Sequence, residues 1–421
     1  MASSTVPAGT VPAGTAPSAM DAALGTERAA LKETGGIVDG SVAVGVDPST
    51  PRSPADVRPE RVRSRDPEAF GHPTGREEEW RFTPLDRLRV LLDGAPSDAR
   101  LQVESELPAG VELIEMDGAE LDVPAPVDRV AALALQRCDR ALVVRVPKGL
   151  EPSEPVVLRL TGTGTGEVVW GHVVLEVAEQ ASATVVLEHT GSARYASVVS
   201  VLVGDAASLR LVQVQGWEPD AVHSAHVATR VGRDATLTST QVTLGGDLVR
   251  VHETVDFTGP GGQVDLRGVS FADGGQHLEH RLLVDHSAPQ CRSRVVYKSA
   301  LHGDDAHTVW VGDVLIRAGA TGTDTYELNR NLLLTPEARA DSVPNLEIET
   351  GEIAGAGHAS TTGRFDDEQL FYLQSRGIPT DVARRMVVRG FFADVVEDIG
   401  VPALQERLMT TIDAELGRAF A

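Results

Sequence analysis

Residues 177–189 read VAEQASATVVLEH, residues 203–215 VGDAASLRLVQVQ, and residues 231–243 VGRDATLTSTQVT. Each is a small or polar corner, then alanine, then a strand of alternating character. One supersecondary phrase repeated at near-constant spacing is the mark of stacked turns. Outward from there, between about Val130 and Thr350, strand follows strand: VVLRL, VVWGHVVLEV, SVVSVLV, HVATRV, VRVHETVDF, VDLRGVSF and HLEHRLLVDH. Most are rich in β-branched residues, with Gly, Asp, Asn or Pro at many of the breaks. They recur about every 10–12 residues with a paired spacing near 20–25, a rhythm shared by sandwiches and stacked solenoids. No helical pattern of useful length separates them, which excludes an open βαβ sheet. The self-similar corners favour a β-helix-like solenoid, with Val, Leu and Ile in interior columns and end turns that need caps.

The β region closes on PNLEIETGEIAGAGHASTTGRFDDEQLFYLQSRG, Pro344 to Gly377. Leu346 and Ile348 keep a period of two. A Gly/Ala/Ser/Thr passage with a single imidazole, His358, comes next, and then the period becomes about 3.6. Asp366 with Gln369 reads as a capped helix start, and Gly377 as its stop. Further on, Ala383, Met386, Val387, Phe391 and Val395 fall near one helical face, and Leu404, Leu408, Ile412 and Leu416 form a stripe on a second helix. These helices predict a small helical subdomain on the end of the solenoid. Ahead of the strands, residues 1–62 have the composition of a disordered low-complexity segment, with a short helix at most around Ala22–Glu33. Residues 63–125 read as a mixed, partly helical segment. In it, GREEEWRFTPL anchors Trp80 and Phe82 on the neighbouring domain, and Leu85–Leu92 has the spacing of an amphipathic helix. The expected layout is therefore 1–62, 63–125, a solenoid core over 126–362, and a helical subdomain over 363–421.

The net charge of −23 argues against nucleic acid or an anionic membrane as a partner. No apolar run approaches the roughly 18 residues of a membrane-spanning helix, and the first residues lack the charge and apolar pattern of a secretory signal. Two cysteines, Cys138 and Cys291, are too few for a disulfide framework, so the expectation is a cytoplasmic protein with reduced thiols.

Motifs for chemistry are largely missing. The three lysines, Lys32, Lys148 and Lys298, lie in no GxxxxGK[ST] loop, and GTGTGE and GAGHAS lack dinucleotide spacing. There is no GxSxG, HExxH or CxxC. No catalytic residue is therefore assigned, and the chain is not expected to be an enzyme. Six of the twelve histidines, His277, His280, His286, His302, His307 and His358, crowd the last third of the β region with Cys291 among them. His and Cys are usual ligands of zinc and iron–sulfur centres, although strand histidines more often serve local hydrogen bonds. His358 is the best placed of the six, because small neighbours leave its ring accessible. Cys291 reads as a small buried residue.

The runs YKSAL, VGDVLIRAGATGTDTYELNRNLLLT and PNLEIETGEIAGAGHASTTGRFDDEQLFYLQSRGIP resemble the SufB/SufD family of iron–sulfur cluster assembly scaffolds, and GREEEWRFTPL resembles the start of its SufD branch. The resemblance runs from about Arg63 to the C-terminus. It implies a right-handed parallel β-helix with a C-terminal helical subdomain. It also implies pairing with a SufB-like chain through the β-helices and docking of a SufC-like ABC ATPase on the helices, around Arg376, Gly377, Arg385, Arg389 and Phe391. The cluster would be transient, shared with the partner at His358 and passed to acceptor proteins. No cofactor is expected to stay on this chain alone, a flavin in the complex is left open, and a homodimer is an alternative when the partner is absent. The family motif around the histidine reads close to KCSHGA, whereas this chain has GAGHAS, so Ala356 stands in the cysteine's place. Alanine neither ligates metal nor accepts sulfur, which argues for the SufD side of the family. Two other readings stay open. One is a purely structural subunit in which His358 only packs. The other is a β-helix enzyme acting on polysaccharide, for which Asp304, Asp305, Asp313 and Asp324 are the nearby carboxylates.

Overall fold

The computed structural model describes residues 61–365 and 367–419. The expected low-complexity segment up to residue 60, the short helix at Ala22–Glu33 and the cap at Asp366 with Gln369 lie outside these descriptions. The rest is a parallel β-solenoid of about eight turns, as the repeated phrase predicts.

The first long strands, β4 (Val156–Val177) and β5 (Ser182–Val203), each run through a complete turn. The first half of β5 pairs with β6 (Ser208–Trp217) and its second half with β7 (Val222–Val231). From there the chain alternates between two walls. One wall stacks β6, β8 (Thr236–Thr243), β10 (Gln263–Ala272), β12 (Arg292–Leu301), β14 (Asp324–Leu333) and β16 (Gly355–Arg364). The other stacks β7, β9 (Leu248–Phe257), β11 (His277–His286), β13 (His307–Ile316) and β15 (Arg339–Ile348). Successive turns are longer than the expected spacing: Ser270 hydrogen-bonds to Ser299, 29 residues on. Each turn holds two full strands and two corners, such as Asp273–Gln276 and Ser287–Cys291, and periodicity within a strand does not register the corners.

The repeated corner has a physical cause. Gln180, Ala206, Asp234 and Gln290 all have φ between 53° and 58°, and Gly261 and Gly322 hold the same left-handed position in their turns. That backbone aims each N–H at the next turn: Gln180 to the Asp205 carbonyl, Ala206 to Arg233, Asp234 to Pro260, Gly261 to Pro289, Gln290 to Thr321 and Gly322 to Glu352. Soon after it comes a small inward residue, Ala181, Ala207, Ala235 or Cys291, all nearly without exposed surface. Cys291 is thus the alanine of its turn. Its thiol donates to the Gly259 carbonyl at 3.5 Å, and burial pushes its pKa up.

The N-terminal end of the solenoid is closed. Strand β1 (Gln102–Glu106) runs antiparallel along β4, and β2 (Glu112–Asp117) joins through β3 (Arg140–Val146). Helices α1 (Leu85–Leu92) and α2 (Arg129–Arg137) cover the β7–β9 side, packing Leu88, Leu91, Val130 and Leu133 with Trp80 against Val198, Val222 and Leu248. Trp80 is the buried anchor the sequence predicts. Phe82 is only half-buried, beneath the Arg81 guanidinium at 4.4 Å.

Three helices follow the last strand: α3 (Asp367–Ser375), α4 (Thr380–Glu397) and α5 (Pro402–Ala419). Gly377, at φ 83°, ends α3 as expected, its N–H donating to the Gln374 carbonyl. The stripe Leu404, Leu408, Ile412 and Leu416 is buried as predicted. The face of α4 is not: Ala383, Val388, Phe392, Val395 and Val396 are buried, while Met386 is exposed. The helix packs on α5 and on the solenoid wall together, so its buried arc is wider than one stripe. The helices also do not sit on the end of the solenoid. They lie along the outside of the β6–β12 wall, where Lys298 meets Asp394 at 2.7 Å, Arg267 meets Asp398 at 2.8 Å, and Arg407 meets Glu188. No described helix is long and apolar enough to cross a membrane.

Candidate functional site: the open last turn

With the helices along its flank, the solenoid ends on an uncovered turn. Among the described residues, β15 pairs only with β13 and β16 only with β14, so each presents an unpaired edge. Burial, nearly complete on β11 and β13, falls to partial on β15 and β16. The Gly/Ala passage around His358 forms β16, the last strand of its wall among the described residues.

In-register stacking shows which way His358 faces. Its column runs Val185, Leu211, Ser239, Leu266, Val295, Glu327, His358, one residue per turn. Val185, Leu211, Leu266 and Val295 belong to the interior core, so His358 ends an inward-facing column and is exposed because, among the described residues, no strand pairs beyond β16. Ala356, two residues earlier on the same face, packs against that core.

The lumen below is not uniformly apolar, and here the sequence expectation of Val, Leu and Ile columns needs correcting. A second column reads His189, Gln215, Thr243, Ser270, Ser299, Asn331, Thr362. Ser270 donates to Ser299 at 2.8 Å, and Thr243 shares a 3.2 Å hydrogen bond with His280 across the lumen. Near the open end, Asn331 donates to Asn329 and to Ser342, both at 2.8 Å, and to Thr362 at 3.1 Å. This polar seam reaches the last turn. The sequence holds its signal in ELNRN, where Glu327, Asn329 and Asn331 share one parity, but an outward polar face produces the same pattern.

Glu327 faces the same lumen one turn below His358. It is 1% exposed, and neither carboxylate oxygen has a hydrogen-bond partner. Burial pushes its pKa up to about 8, and the charge of Asp313 adds to the effect.

The remaining predicted site residues have other duties. His277 is bonded to Glu279 and His307, His307 to Asp341 at 2.7 Å, His302 to Asp273, and His286 to Ser293. Burial lowers the pKa of His280 and His286 to about 4, which leaves both neutral. These five histidines are hydrogen-bonding groups of the walls and corners, and His358 stands apart from them. Among the described residues, no group of three or more His, Cys, Asp or Glu is arranged to hold a metal. The four aspartates do not share a face either: Asp304 and Asp305 form a corner, Asp313 is bonded by Asn345 on one wall, and Asp324 pairs with Arg294 on the other.

On the helices, Arg376 is exposed with its guanidinium 5.1 Å from the Tyr372 ring. Arg385 pairs with Asp381 at 2.9 Å, and Arg389 with Asp413. Phe391 does not belong to an outward face. It is half-buried, its carbonyl accepts from Lys298 Nζ at 3.2 Å, and its ring lies 5.3 Å from that nitrogen. The exposed apolar side chains here are Phe371 (71%), Tyr372 (56%) and Met386 (48%).

Residues 159–391 match the SufBD core domain of SUF-system FeS cluster assembly. An iron–sulfur cluster assembly SufBD family protein of Mycobacterium tuberculosis is 53% identical over 368 residues, 85% of this chain and 92% of that protein. The iron–sulfur cluster assembly protein SufD of Escherichia coli is 27% identical over 382 residues, 82% of this chain and 90% of its own. SufD of Bacillus subtilis is 26% identical over 316 residues, 71% of this chain and 69% of its own. The match spans the solenoid from β4 to β16 and continues into α4, and on it the chain belongs to the SufBD family of the SUF iron–sulfur cluster assembly system.

Proposed function

We propose that this chain is a SufD-like scaffold whose open turn receives a SufB-like chain, with His358 as one ligand of an iron–sulfur cluster assembled between them. The observation that carries this reading is the pair of unpaired edges on β15 and β16 with His358 at the end of an inward column beside them. Exposed strand edges recruit further strands, and a second solenoid end offers the matching pair. An imidazole nitrogen is a competent iron ligand, and the small residues Gly355, Ala356, Gly357 and Ala359 leave room around it. The cluster is cargo, released to acceptor proteins, and the chain's part in this reading is to hold it through His358. An ABC-type, SufC-like ATPase docks on α3 and α4 near Arg376, Gly377, Arg385 and Arg389, where Phe371, Tyr372 and Met386 supply exposed apolar surface.

The test is cluster reconstitution on the three-component complex carrying His358→Ala. Loss of most of the cluster yield is expected, with the complex still assembled. A purely structural role has its own supporting observation, the replacement of the family cysteine by Ala356. That role predicts unchanged iron content and unchanged acceptor maturation in the variant, and such a result removes the ligand assignment.

A further inference from the structure

Buried polar atoms are almost always hydrogen-bonded, and a carboxyl left without partners carries a desolvation cost that the rest of the fold must offset. Glu327 breaks this rule with both oxygens, one turn beneath the only candidate ligand that the sequence reading singled out. The space for it is kept by a glycine on the opposite wall: a Cβ at Gly312 would stand 2.7 Å from Glu327 Oε1. The carboxylate therefore reaches across the lumen and does not fold back on its own strand.

From this arrangement we infer that Glu327 and His358 together form a binding site for a divalent metal ion, ferrous iron in the cell. The inference rests on the reading of the open turn as the assembly face and adds to it a second ligand. Successive turns lie about 4.8 Å apart, and metal–oxygen and metal–nitrogen bonds are about 2.0–2.2 Å, so one ion between the two side chains bridges adjacent turns. The donor set is one imidazole nitrogen and carboxylate oxygen, with no thiolate, since Ala356 occupies the neighbouring inward position. Such a set suits Fe²⁺, Mn²⁺, Co²⁺ or Zn²⁺ as a single ion. Iron would thus be held here as the ion, before any sulfide joins it. Two protein ligands leave the remaining positions to water or to the joining chain, since no group of three or more His, Cys, Asp or Glu among the described residues is arranged to hold a metal.

The test is a titration of the untagged full-length chain with Co²⁺ alone, read by its visible d–d absorption and by isothermal calorimetry. One ion per chain is expected, with affinity at least tenfold weaker in both Glu327→Gln and His358→Ala. Thermal melts by circular dichroism check that each variant is folded. If Glu327→Gln proves less stable than wild type, Glu327→Met, which suits an apolar lumen, takes its place. Loss of binding in His358→Ala with full binding in the Glu327 variants overturns the two-ligand site and leaves the proposed function standing. A wild-type chain that binds no Co²⁺ overturns it as well. Binding that depends on both residues, together with unaltered cluster assembly in His358→Ala, upholds the metal site and removes the assembly reading.

Discussion

Strand β9 carries Arg250 on its outer side and Glu253 on its inner side, and both are fully buried. Outside, beneath the N-terminal helices, each charge has an answer. Arg250 donates to Asp128 at 2.9 Å, lies 3.4 Å from Glu279, and stacks on Trp80 at 4.1 Å. Burial alone would raise the pKa of Glu279, but the hydrogen bond from His277 and the charges of Arg250 and Arg281 outweigh it and hold the carboxyl well below its usual range. Inside, Glu253 has no cation. Burial pushes its pKa up to about 7, only partly offset by Ser239, Gln241 and Tyr297. One wall thus separates a network of compensated ions, which holds structure together, from a lumen where burial pushes the pKa of acids up. Glu327 extends the second environment to the open turn. The difference marks which buried acids are compensated by cations within the fold and which are not.

Arg250→Ala breaks the comparison on its outer side. It strands Asp128 and Glu279 without their shared cation, and removing one partner of a buried network costs about 3–5 kcal/mol. A large fall in the denaturant midpoint is expected, with proteolysis near Trp80 setting in first. Glu279 contributes stability above the ordinary carboxylate pKa that is lost as the pH falls, so wild type and variant should converge in acid. A variant as stable as wild type at neutral pH would mean that the helices hold the wall without the ions.

Glu253→Gln tests the inner side, with the opposite pH dependence. The folded-state pKa is raised from 4.5 to about 7, so between those values the native state keeps a proton that the unfolded chain has released. Wild-type stability therefore falls as pH rises through that window, by at most about 1.4 kcal/mol per unit. The amide does not titrate. It should equal wild type on this account below about pH 4.5, gain about 1–3 kcal/mol by neutral pH after relaxation of the site, and gain no more beyond. Parallel stability curves for the two proteins across pH 4–8 would show that Glu253 is compensated after all.

Strand β9 also shows how far the sequence could be read. LVRVHETVDF alternates, and the repeated corner with its following small residue reveals that such strands stack. What alternation cannot tell is that both faces of β9 are buried, because the cover over Arg250 comes from Trp80 and α1, some 160 residues earlier in the chain. Polar residues of one parity are then assigned to solvent, and the seam through Gln215, Thr243 and Ser270 goes unseen. His358 was legible as a lone imidazole among small residues. Its place above Glu327 was not, since that depends on register between turns 31 residues apart, which pattern within a strand does not encode. The exposure of Met386 escaped for a related reason, namely that α4 packs on two neighbours and its stripe was drawn for one.

The outer side of the opposite wall gives the smallest effect and sets the lower bound of the comparison. Lys298 and Asp394 join α4 to β12 at 2.7 Å, but the Asp394 side chain is 56% exposed. Ion pairs open to water contribute about 0–1 kcal/mol and weaken with salt. In Asp394→Asn, the buried Lys298 loses its counter-charge but keeps the Phe391 carbonyl at 3.2 Å and can keep a hydrogen bond to the amide, so the loss is smaller than in Arg250→Ala, where two carboxylates are left without their cation. Global stability should drop by about 0.5 kcal/mol or less. Amide exchange in α4 and α5 should quicken in the variant, and quicken in wild type as salt is raised, while the strand amides stay protected in both. This follows from the pairing itself: the N-terminal helices are held by fully desolvated ions and a large apolar cluster, the C-terminal helices at this seam by pairs with one partner open to water. An attachment of the second kind can shift without unfolding the wall. Exchange that quickens in the strands along with the helices would show instead that the two form one cooperative unit.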